Sequence, residues 1–517
     1  MTTVTRARWW SASDVRWYTG WIVAIDSLTT VSPSSSSSGS DPRQPGTTWQ
    51  HDPGFFPAVT ALAAVVFCAC ASWVSFLLWT SEGLDRIALP ERALSLMVGR
   101  TMDVEEAVKQ APDWEHTLYQ WLSSGSTSER AEAIAWYEEL ADRTVDPSVH
   151  LHLAILRAEA GLLEPVERRA MDWASREPPY PVFSTALQAA YFQRPLDPDT
   201  AMRLQAEIAD LLPAGWFYDR LALRLAERSH DAALFASLET AAHTRAERLF
   251  AWSRWFSFVE LGTMLFGTGI LLYAWRRHDA GFLRYGGASQ PPLWPGGIGA
   301  RVLLRGGAIG AVLLLTLTWY GLDHPLLRMV AIPMTNLPLL LLAQRHLLEP
   351  AGLGFRDGFG LWPLPGRGSR IFLAVPALVA AGLIGEWLVG RLAEPLSLSS
   401  HWTEWFDGDL VWAPAPVLAL SLVEYVVFAP IFEELAFRGL LFGVLRRRYA
   451  FGTAAVCSAG IFSLAHGYGV LGFMGVFWSG LVWAWGYEKT GSLLPGIIAH
   501  GINNLLVCLS VIALLRS

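Results

Sequence analysis

Long apolar runs fill the second half of the chain, whereas the first half contains one such run and a stretch of mixed composition. Each run can cross a bilayer as a helix, because about 20 apolar residues span the hydrocarbon layer. The runs cover residues 54–79, 255–275, 299–320, 326–344, 371–391, 411–432, 450–466, 469–487 and 493–515. This pattern predicts an all-α protein, a polytopic membrane helix bundle with an eight-helix core and one additional N-terminal span.

The stretch between the first and second runs has a different pattern. Residues 81–253 are rich in Ala, Leu, Glu and Arg, and their apolar positions recur at helical spacing, as in SERAEAIAWYEELADR. Breaks such as SSGSTS and REPPYP divide the stretch into about eight short helices. Such helices can stack as a solenoid or form a plain bundle. We predict a soluble α-helical domain at 81–253, between a first transmembrane helix at 54–80 and a membrane core at 254–517.

The N-terminal segment and the loops give a predicted topology. Residues 1–53 include the tract SPSSSSSGSDP, which is typical of a disordered, low-complexity segment. Arginine and lysine recur in alternate loops of the core, and the positive-inside rule places these loops in the cytoplasm. We therefore predict a multi-pass protein of the bacterial inner membrane, with a cytoplasmic N-terminus and the helical domain on the opposite side. The positive residues are Arg276, Arg277, Arg345, Arg356, Arg367, Arg370, Arg446, Arg447, Arg448 and Lys489.

Composition narrows the class of partners. Hydrophobic residues make up 52% of the 517 residues and charged residues 16%, a balance typical of a protein embedded in the lipid bilayer. The net charge of −7 is spread along the chain without a basic block, which argues against nucleic acid as a partner. The four cysteines lie in apolar runs and show no disulfide or metal-binding pattern. The expected partners are therefore lipid and protein.

Ionisable residues interrupt the apolar runs in three places, and the first is PIFEELAFRG, from Pro430 to Gly439. Charged side chains inside a membrane are costly, so they indicate a functional site. Glu434 and Arg438 are four residues apart and can pair on one helix face. Glu433 lies about 100° around the helix from Glu434, so it is free to face a water molecule.

Two histidines and an asparagine form the other interruptions. His466 ends the sequence FSLAH, and His500 and Asn504 lie four residues apart in HGINN. Counted from the arginine-bearing side, Glu433 and these three residues lie at depths of about 12–22 Å, given a helical rise of about 1.5 Å per residue. We therefore expect side chains from three helices to meet in one pocket.

Such a pocket permits two kinds of hydrolytic chemistry. A carboxylate and an imidazole can hold and deprotonate a water molecule, while a second imidazole and a carboxamide donate hydrogen bonds to a developing oxyanion. Alternatively, Glu433, His466 and His500 can bind Zn²⁺, which takes oxygen and nitrogen ligands. The side chains alone are compatible with either chemistry.

Two functions without hydrolysis are also compatible with these residues. In a membrane scaffold or immunity-type protein the polar residues would serve packing, and in a secondary transporter they would bind a proton or an ion. The sequence shows no internal inverted repeat, which argues against the transporter. Two further carboxylates, Glu260 and Glu386, are assigned to packing or tuning. Glu424 should face away from the site, because it lies about 180° around the helix from Glu433.

The three motifs together resemble those of a known family. EELAFRG at 433–439, FSLAH at 462–466 and HGINN at 500–504 are similar, in order and approximate spacing, to the motifs of the CPBP family. This family contains type II CAAX prenyl proteases and bacteriocin-processing or immunity membrane proteins. The resemblance extends from about residue 410 to about residue 515. It implies an eight-helix membrane core and intramembrane proteolysis.

The resemblance also implies roles for individual side chains. Glu433 and His466 would activate a water molecule, and His500 and Asn504 would form the oxyanion site. Proteolysis in the family has been ascribed both to a metal and to a glutamate. We favour activation by Glu433 without an obligatory metal, and a divalent ion such as Zn²⁺ is the alternative.

These observations combine into one functional prediction. We predict a membrane-embedded endopeptidase that acts on a protein or peptide substrate. Glu434 and Arg438 would hold the glutamate-bearing helix in register. The helical domain at 81–253 would recruit the substrate or a protein partner.

Overall fold

The computed structural model describes residues 56–80, 83–122, 129–192, 196–279, 281–319 and 324–516. These residues form helices joined by turns and contain no strand, which confirms the prediction of an all-α polytopic bundle. The predicted low-complexity segment 1–53 lies outside the described residues.

The N-terminal half contains one apolar helix followed by a layer of short helices. Helix α1, Pro57–Thr80, packs on the membrane bundle through Phe67, whose ring lies 3.0 Å from the position of a Cβ at Gly307. The layer comprises α2 Pro90–Gln110, α3 Asp113–Leu122, α4 Glu129–Ala141, α5 Pro147–Glu159, α6 Leu163–Trp173, α7 Tyr180–Leu187, α8 Pro198–Leu211 and α9 Trp216–Arg228. Within the described ranges, these helices agree with the number predicted for 81–253.

Asp-Pro pairs begin two of the short helices. The Asp146 side chain accepts a hydrogen bond of 2.8 Å from the backbone N–H of Ser148, at the start of α5. Asp197 accepts one of 3.1 Å from the N–H of Thr200, at the start of α8. An aspartate cap satisfies a backbone donor that the helix leaves unpaired, and a proline at the next position has a helical φ already. Both dipeptides therefore mark the start of a helix in this layer.

Helix α10, Ala232–Arg277, connects the layer to the bundle as one element of 46 residues. The apolar pattern predicted a membrane helix at 255–275 that was separate from the soluble helices, and this separation is wrong. No glycine or proline occurs between Ala232 and Leu261, so nothing interrupts the helical hydrogen bonding there. At about 1.5 Å per residue the helix extends about 69 Å. The predicted boundary at 253 falls inside it, and the division into domains stays a prediction.

Helices α11 to α17 complete the bundle. They are α11 Gly296–Trp319, α12 Pro325–Ala343, α13 Ile371–Ala393, α14 Ala415–Arg446, α15 Phe451–Leu464, α16 Val470–Thr490 and α17 Leu494–Val511. In the part of the chain that the structure describes, eight helices are long and apolar enough to span a membrane. Helix α15 is shorter, because its 14 residues rise only about 21 Å. The prediction of a full span at 450–466 is therefore corrected to an apolar helix that is shorter than the eight candidate spans.

Helix α14 lies at the centre of the bundle, where it contacts α11, α12, α15, α16 and α17. It is not a regular α-helix, because it is π-helical at Glu424–Phe428 and again at Glu434–Phe442. Pro430 lies between these segments. Wider π-helical turns occur frequently at functional sites, since they redirect side chains.

The layer of short helices rests on one end of the bundle. Trp387 donates from Nε1 to the carbonyl oxygen of Trp121 over 2.9 Å, and the two ring centroids are 4.9 Å apart. His401 Nε2 lies 3.1 Å from Glu139 Oε2. Trp387 lies near the end of α13, and His401 lies within the following loop at 394–409, which carries no Lys or Arg. This loop and the layer therefore share a side, in agreement with the predicted topology.

The arginine-bearing loops lie together at the other end. Arg367 Nη1 donates to the carbonyl oxygen of Gly281 over 2.7 Å, which joins the loops after α10 and before α13. Arg446 pairs with Glu488 over 2.8 Å and joins the ends of α14 and α16. These contacts agree with the predicted grouping of the positive loops, whereas their cytoplasmic orientation stays a prediction.

A buried histidine makes the helical layer sensitive to acid. His152 is 4% exposed, stacks on Phe217 with centroids 4.0 Å apart, and has Nδ1 3.2 Å from the Tyr137 hydroxyl. Burial lowers the pKa of His152 to about 3. Because the unfolded chain binds a proton near pH 6.5, the stability that His152 contributes is complete above pH 6.5 and is lost as the pH falls toward 3.

We expect a His152→Phe variant to lose less thermal stability than the wild type between pH 6.5 and pH 4, because phenylalanine keeps the stacking and cannot be protonated. Melting temperatures of the purified protein, followed by tryptophan fluorescence across this range, measure the difference. The exposed His243 provides the control, and His243→Gln should behave as the wild type. Parallel curves for His152→Phe and the wild type would contradict the assignment.

Candidate active site

The two adjacent glutamates of α14 point in different directions. Glu433 ends the α-helical turn Ala429–Glu433, and Glu434 begins the second π-helical segment. The side chain of Glu434 is 1% exposed, whereas that of Glu433 is 29% exposed. One carboxylate is therefore enclosed by protein and the other is accessible, as the 100° rotation between neighbouring residues predicts.

Glu434 forms the centre of a buried network. Its Oε1 accepts a hydrogen bond of 2.9 Å from Arg438 Nη1 and lies 3.1 Å from His500 Nδ1. The Arg438 side chain is 1% exposed. The pair predicted from the four-residue spacing is therefore present. It also holds His500 of α17, a contact that the sequence did not predict.

Arg438 makes its remaining contacts with uncharged groups. Its guanidinium lies over the Phe462 ring, 4.0 Å from the centroid. Nη2 lies 3.2 Å from the position of a Cβ at Gly480, so the glycine leaves space for the guanidinium. A cation above an aromatic face is stabilised by the electrons of the ring. Phe462 therefore supports the charge that neutralises Glu434.

His500 lies between the two glutamates. Its Nδ1 is bound to Glu434, and its Nε2 lies 3.8 Å from Glu433 Oε2. With Nδ1–H donating to Glu434, the neutral ring presents an unprotonated Nε2 toward Glu433, and the protonated ring presents Nε2–H. The Trp483 ring stacks on the imidazole, with centroids 5.9 Å apart and planes 14° apart. These contacts fix the orientation of Nε2.

His466 lies in the turn that follows α15. Its Nδ1 donates to the Phe462 carbonyl oxygen over 2.8 Å, which leaves Nε2 free as an acceptor in the neutral ring. The imidazole contacts the Tyr468 ring, with centroids 5.8 Å apart. Among the described residues His466 forms no ion pair with Glu433, so the structure brings Glu433 to His500 and not directly to His466.

Phe462 connects the two histidines. Its ring centroid lies 4.7 Å from that of His466 and 6.1 Å from that of His500, both in edge-to-face geometry. Phe462 entered the sequence interpretation as part of FSLAH without a role of its own. The spacing of four residues between Phe462 and His466 could have predicted their contact, because residues four apart share a helix face. Tyr468 was also missed, although it follows His466 by two positions.

Asn504 bonds to the backbone of α14. Its Nδ2 donates to the Tyr425 carbonyl oxygen over 2.9 Å. Tyr425 lies in the first π-helical segment, in which a carbonyl bonds to the N–H five residues later. That residue is Pro430, which has no N–H. Asn504 therefore satisfies a carbonyl that the proline leaves without a partner.

A glycine allows α17 to approach at the same place. A Cβ at Gly501 would come within 2.7 Å of the Val426 carbonyl oxygen. The Val426 carbonyl therefore faces Gly501, and the Tyr425 carbonyl beside it accepts the hydrogen bond from Asn504. This contact positions His500 beside the glutamates.

The candidate metal ligands do not form a metal centre. In the described part of the chain, no group of three or more His, Cys, Asp or Glu side chains has a geometry that could hold an ion. Nδ1 of His500 is directed to Glu434, and His466 lies outside ion-pair distance of Glu433. The set Glu433, His466 and His500, as placed, does not fit Zn²⁺, and we assign no step to a metal.

The other intramembrane carboxylates lie in separate contacts. Glu386 accepts a hydrogen bond of 3.1 Å from the Ser479 hydroxyl. Glu424 pairs with Arg328 over 3.1 Å. These contacts agree with the packing role assigned to Glu386 and with the expected orientation of Glu424 away from Glu433.

Residues 415–506 match the family described as type II CAAX prenyl endopeptidase Rce1-like. The match agrees with the resemblance to the CPBP family over this region. It contains all the predicted site residues, Glu433, Glu434, Arg438, His466, His500 and Asn504. No match was found among curated proteins or among solved structures.

We expect Arg438→Met to destabilise the protein by about 3–5 kcal/mol, because it leaves the buried Glu434 carboxylate without its counter-charge. Arg438→Met combined with Glu434→Gln should recover part of this loss. Thermal unfolding in detergent measures both variants. The exposed pair Arg168 and Glu164 has the same spacing, and Arg168→Met should cost less than about 1 kcal/mol. Equal losses at the two arginines would contradict the buried network.

We expect the cost of Asn504→Leu to depend on Pro430. In the wild-type background the Tyr425 carbonyl loses its donor, at a cost of about 1–2 kcal/mol. In a Pro430→Ala background the new N–H can bond to the freed Tyr425 carbonyl, so the cost should fall. A double-mutant cycle on melting temperature measures the coupling. The neighbouring Asn503 has no hydrogen bond to the Tyr425 carbonyl, which Asn504 occupies, so Asn503→Leu should show no coupling to Pro430.

Proposed function

We propose that this protein is an intramembrane endopeptidase that hydrolyses a peptide bond with water activated by Glu433. The Rce1-like domain and the multi-pass membrane bundle support this proposal. The observation that carries the proposal is the 3.8 Å separation of Glu433 Oε2 from His500 Nε2. An accessible carboxylate and an oriented imidazole face each other at the centre of the bundle.

Glu433 is the general base in this proposal. Glu434 is engaged by Arg438 and His500, whereas Glu433 is accessible and has no hydrogen bond among the described residues. The attacking water gives a proton to Glu433 as its oxygen bonds to the substrate carbonyl carbon. When the tetrahedral intermediate breaks its C–N bond, the same proton passes to the leaving amine. The water oxygen therefore ends in the new carboxyl group, and the proton taken by Glu433 ends on the new amine.

The two histidines assist this base from different sides. His466 Nε2, left free by the bond from Nδ1 to Phe462, accepts a second hydrogen bond from the attacking water. His500 in its protonated form donates from Nε2 to the developing oxyanion, and Glu434 holds its Nδ1–H. Asn504 uses one N–H for the Tyr425 carbonyl, so only its second N–H is available to the oxyanion.

The proposal includes a location and a route for the substrate. We place the protein in the bacterial inner membrane with the arginine-bearing loops in the cytoplasm. The helical layer on the opposite side receives the protein or peptide substrate. The contact between this layer and the loop at 394–409 supports such a route, because it brings the layer next to the bundle end where α14 begins.

We expect Glu433→Gln to abolish cleavage, with a loss of at least about 10²–10³-fold, because glutamine cannot accept the proton of the water. Comparison of new protein N-termini in cells that express the wild type or the variant measures cleavage even when the substrate is unidentified. Glu260→Gln is the matched control, since Glu260 is another intramembrane carboxylate with no hydrogen bond among the described residues, and it should retain cleavage.

The same experiment separates the protease from the alternatives. Cleavage products that persist in Glu433→Gln would contradict the proposed base. A wild type without products, together with a Glu433→Gln variant that fails to fold, would indicate a scaffold. Ion or solute uptake into proteoliposomes that Glu433→Gln abolishes would indicate a transporter.

A further inference from the structure

Helix α3, Asp113–Leu122, carries an apolar stripe on its outer face. Trp114 is 60% exposed, Trp121 is also exposed, and Leu118 between them is half-buried. Residues three and four apart share a helix face, so these three side chains form one continuous stripe. An exposed apolar surface bordered by polar residues indicates contact with a protein or a membrane. The stripe is therefore a candidate contact surface of the helical layer.

A second face of α3 is fixed on α10. The buried Glu115 pairs with Arg254, which donates to both of its carboxylate oxygens. The Tyr119 ring meets the Phe250 ring edge to face, with centroids 6.2 Å apart. Neighbouring residues of a helix are rotated by about 100°, so Trp114 is turned away from the face that carries Glu115. The stripe is thus left outside the contact between α3 and α10.

The end of α3 is fixed on α13. Arg391 donates from Nη2 to the carbonyl oxygens of Gln120 and Trp121, each over 2.8 Å. The Trp121 carbonyl also accepts the hydrogen bond from Trp387. A cation at the C-terminal carbonyls of a helix is favoured by the helix dipole. Helix α3 is therefore attached to two helices that are long and apolar enough to span the membrane.

The two attachment points lie at the same depth. Arg277 of α10 and Arg370, which precedes α13, belong to the end of the bundle that carries the positive loops. At about 1.5 Å per residue, Arg254 lies about 35 Å from Arg277, and Arg391 lies about 32 Å from Arg370. The hydrocarbon layer is about 30 Å thick. Both ends of α3 therefore lie just beyond its opposite boundary, and the helix runs along the membrane surface.

The two membrane helices also expose apolar side chains at this depth. Trp252 and Trp255 of α10 are exposed on either side of Arg254, and Leu388 and Leu392 of α13 are exposed near Arg391. Tryptophan is enriched at membrane–water interfaces, because its ring is apolar and its N–H is polar. The surroundings of α3 therefore indicate lipid, rather than another protein, as the partner of the stripe.

We propose that α3 seats the helical layer in the interfacial region of the bilayer, with Trp114 and Leu118 facing lipid and Trp121 beside Trp387. The occupant of the stripe is the boundary between headgroups and acyl chains in the leaflet on the side of the layer. Helices of this kind lie in the membrane plane with the apolar face buried by about 5–10 Å. One helix of the predicted soluble domain thus belongs to the membrane surface. The proposal is independent of the protease function.

The test places a nitroxide spin label on single cysteines of the full chain in nanodiscs of phosphatidylethanolamine and phosphatidylglycerol. Oxygen concentrates in lipid and a nickel chelate stays in water, so the ratio of their collision rates reports the surroundings of each label. Trp114→Cys and Leu118→Cys should give ratios several-fold above those of His116→Cys and Gln120→Cys, which lie on the polar side of α3. Alanine first replaces the native cysteines, Cys68, Cys70, Cys457 and Cys508.

A matched position and a second variant complete the experiment. Met171 is an equally exposed apolar residue on α6, which packs on α5 and α7 within the layer, and Met171→Cys should give a low, water-like ratio. Trp114→Asp should lower the ratio at the Leu118 label, because a carboxylate disfavours insertion whereas tryptophan favours it. Met171→Asp should leave that ratio unchanged. Both substituted side chains are exposed, so these variants should fold.

Three results would overturn the proposal. A ratio at position 114 equal to that at position 171 would place the stripe in water. Low collision rates with both reagents at positions 114 and 118 would show that protein covers the stripe. An unchanged ratio at position 118 in Trp114→Asp would show that the stripe does not hold the layer on the bilayer.

Discussion

The bundle depends on one ion pair in its interior. Arg438 and Glu434 are each 1% exposed, and a charge at that depth is tolerated only with a partner. Glu434 binds His500 on α17 and Arg438 lies over Phe462 on α15, so three helices meet at this pair. Because Glu434 is engaged in this way, the adjacent Glu433 stays unbonded and accessible. The enclosed and the accessible glutamate are thus neighbours in sequence with separate surroundings.

Regular spacing explains what could be predicted from the sequence. The lengths of the apolar runs predict the bundle, and the four-residue interval predicts the pair of Glu434 and Arg438. The order of the three motifs predicts which helices supply the site. The positive loops predict the grouping of helix ends that the contacts of Arg367 and Arg446 confirm. Each of these features depends on positions along one helix or on composition.

The features that were missed depend on irregular backbone or on tertiary contacts. The π-helical turns of α14 arise in a sequence whose residues suit an ordinary α-helix, and only Pro430 indicates a disturbance. The acceptor of Asn504 is a backbone carbonyl whose availability depends on that proline. The contact of His500 with both glutamates requires the close approach that Gly501 allows. Spacing within one helix contains no information about such an approach.

The continuity of α10 has a mechanical consequence. The helix contacts α2 in the layer and both α13 and α17 in the bundle, without a glycine or proline hinge near the membrane boundary. A rigid rod of about 69 Å converts a tilt of about 5° at its base into a displacement of about 6 Å at its tip. A tilt of α10 caused by movement of the helical layer would therefore be transmitted to α17, the helix that carries His500.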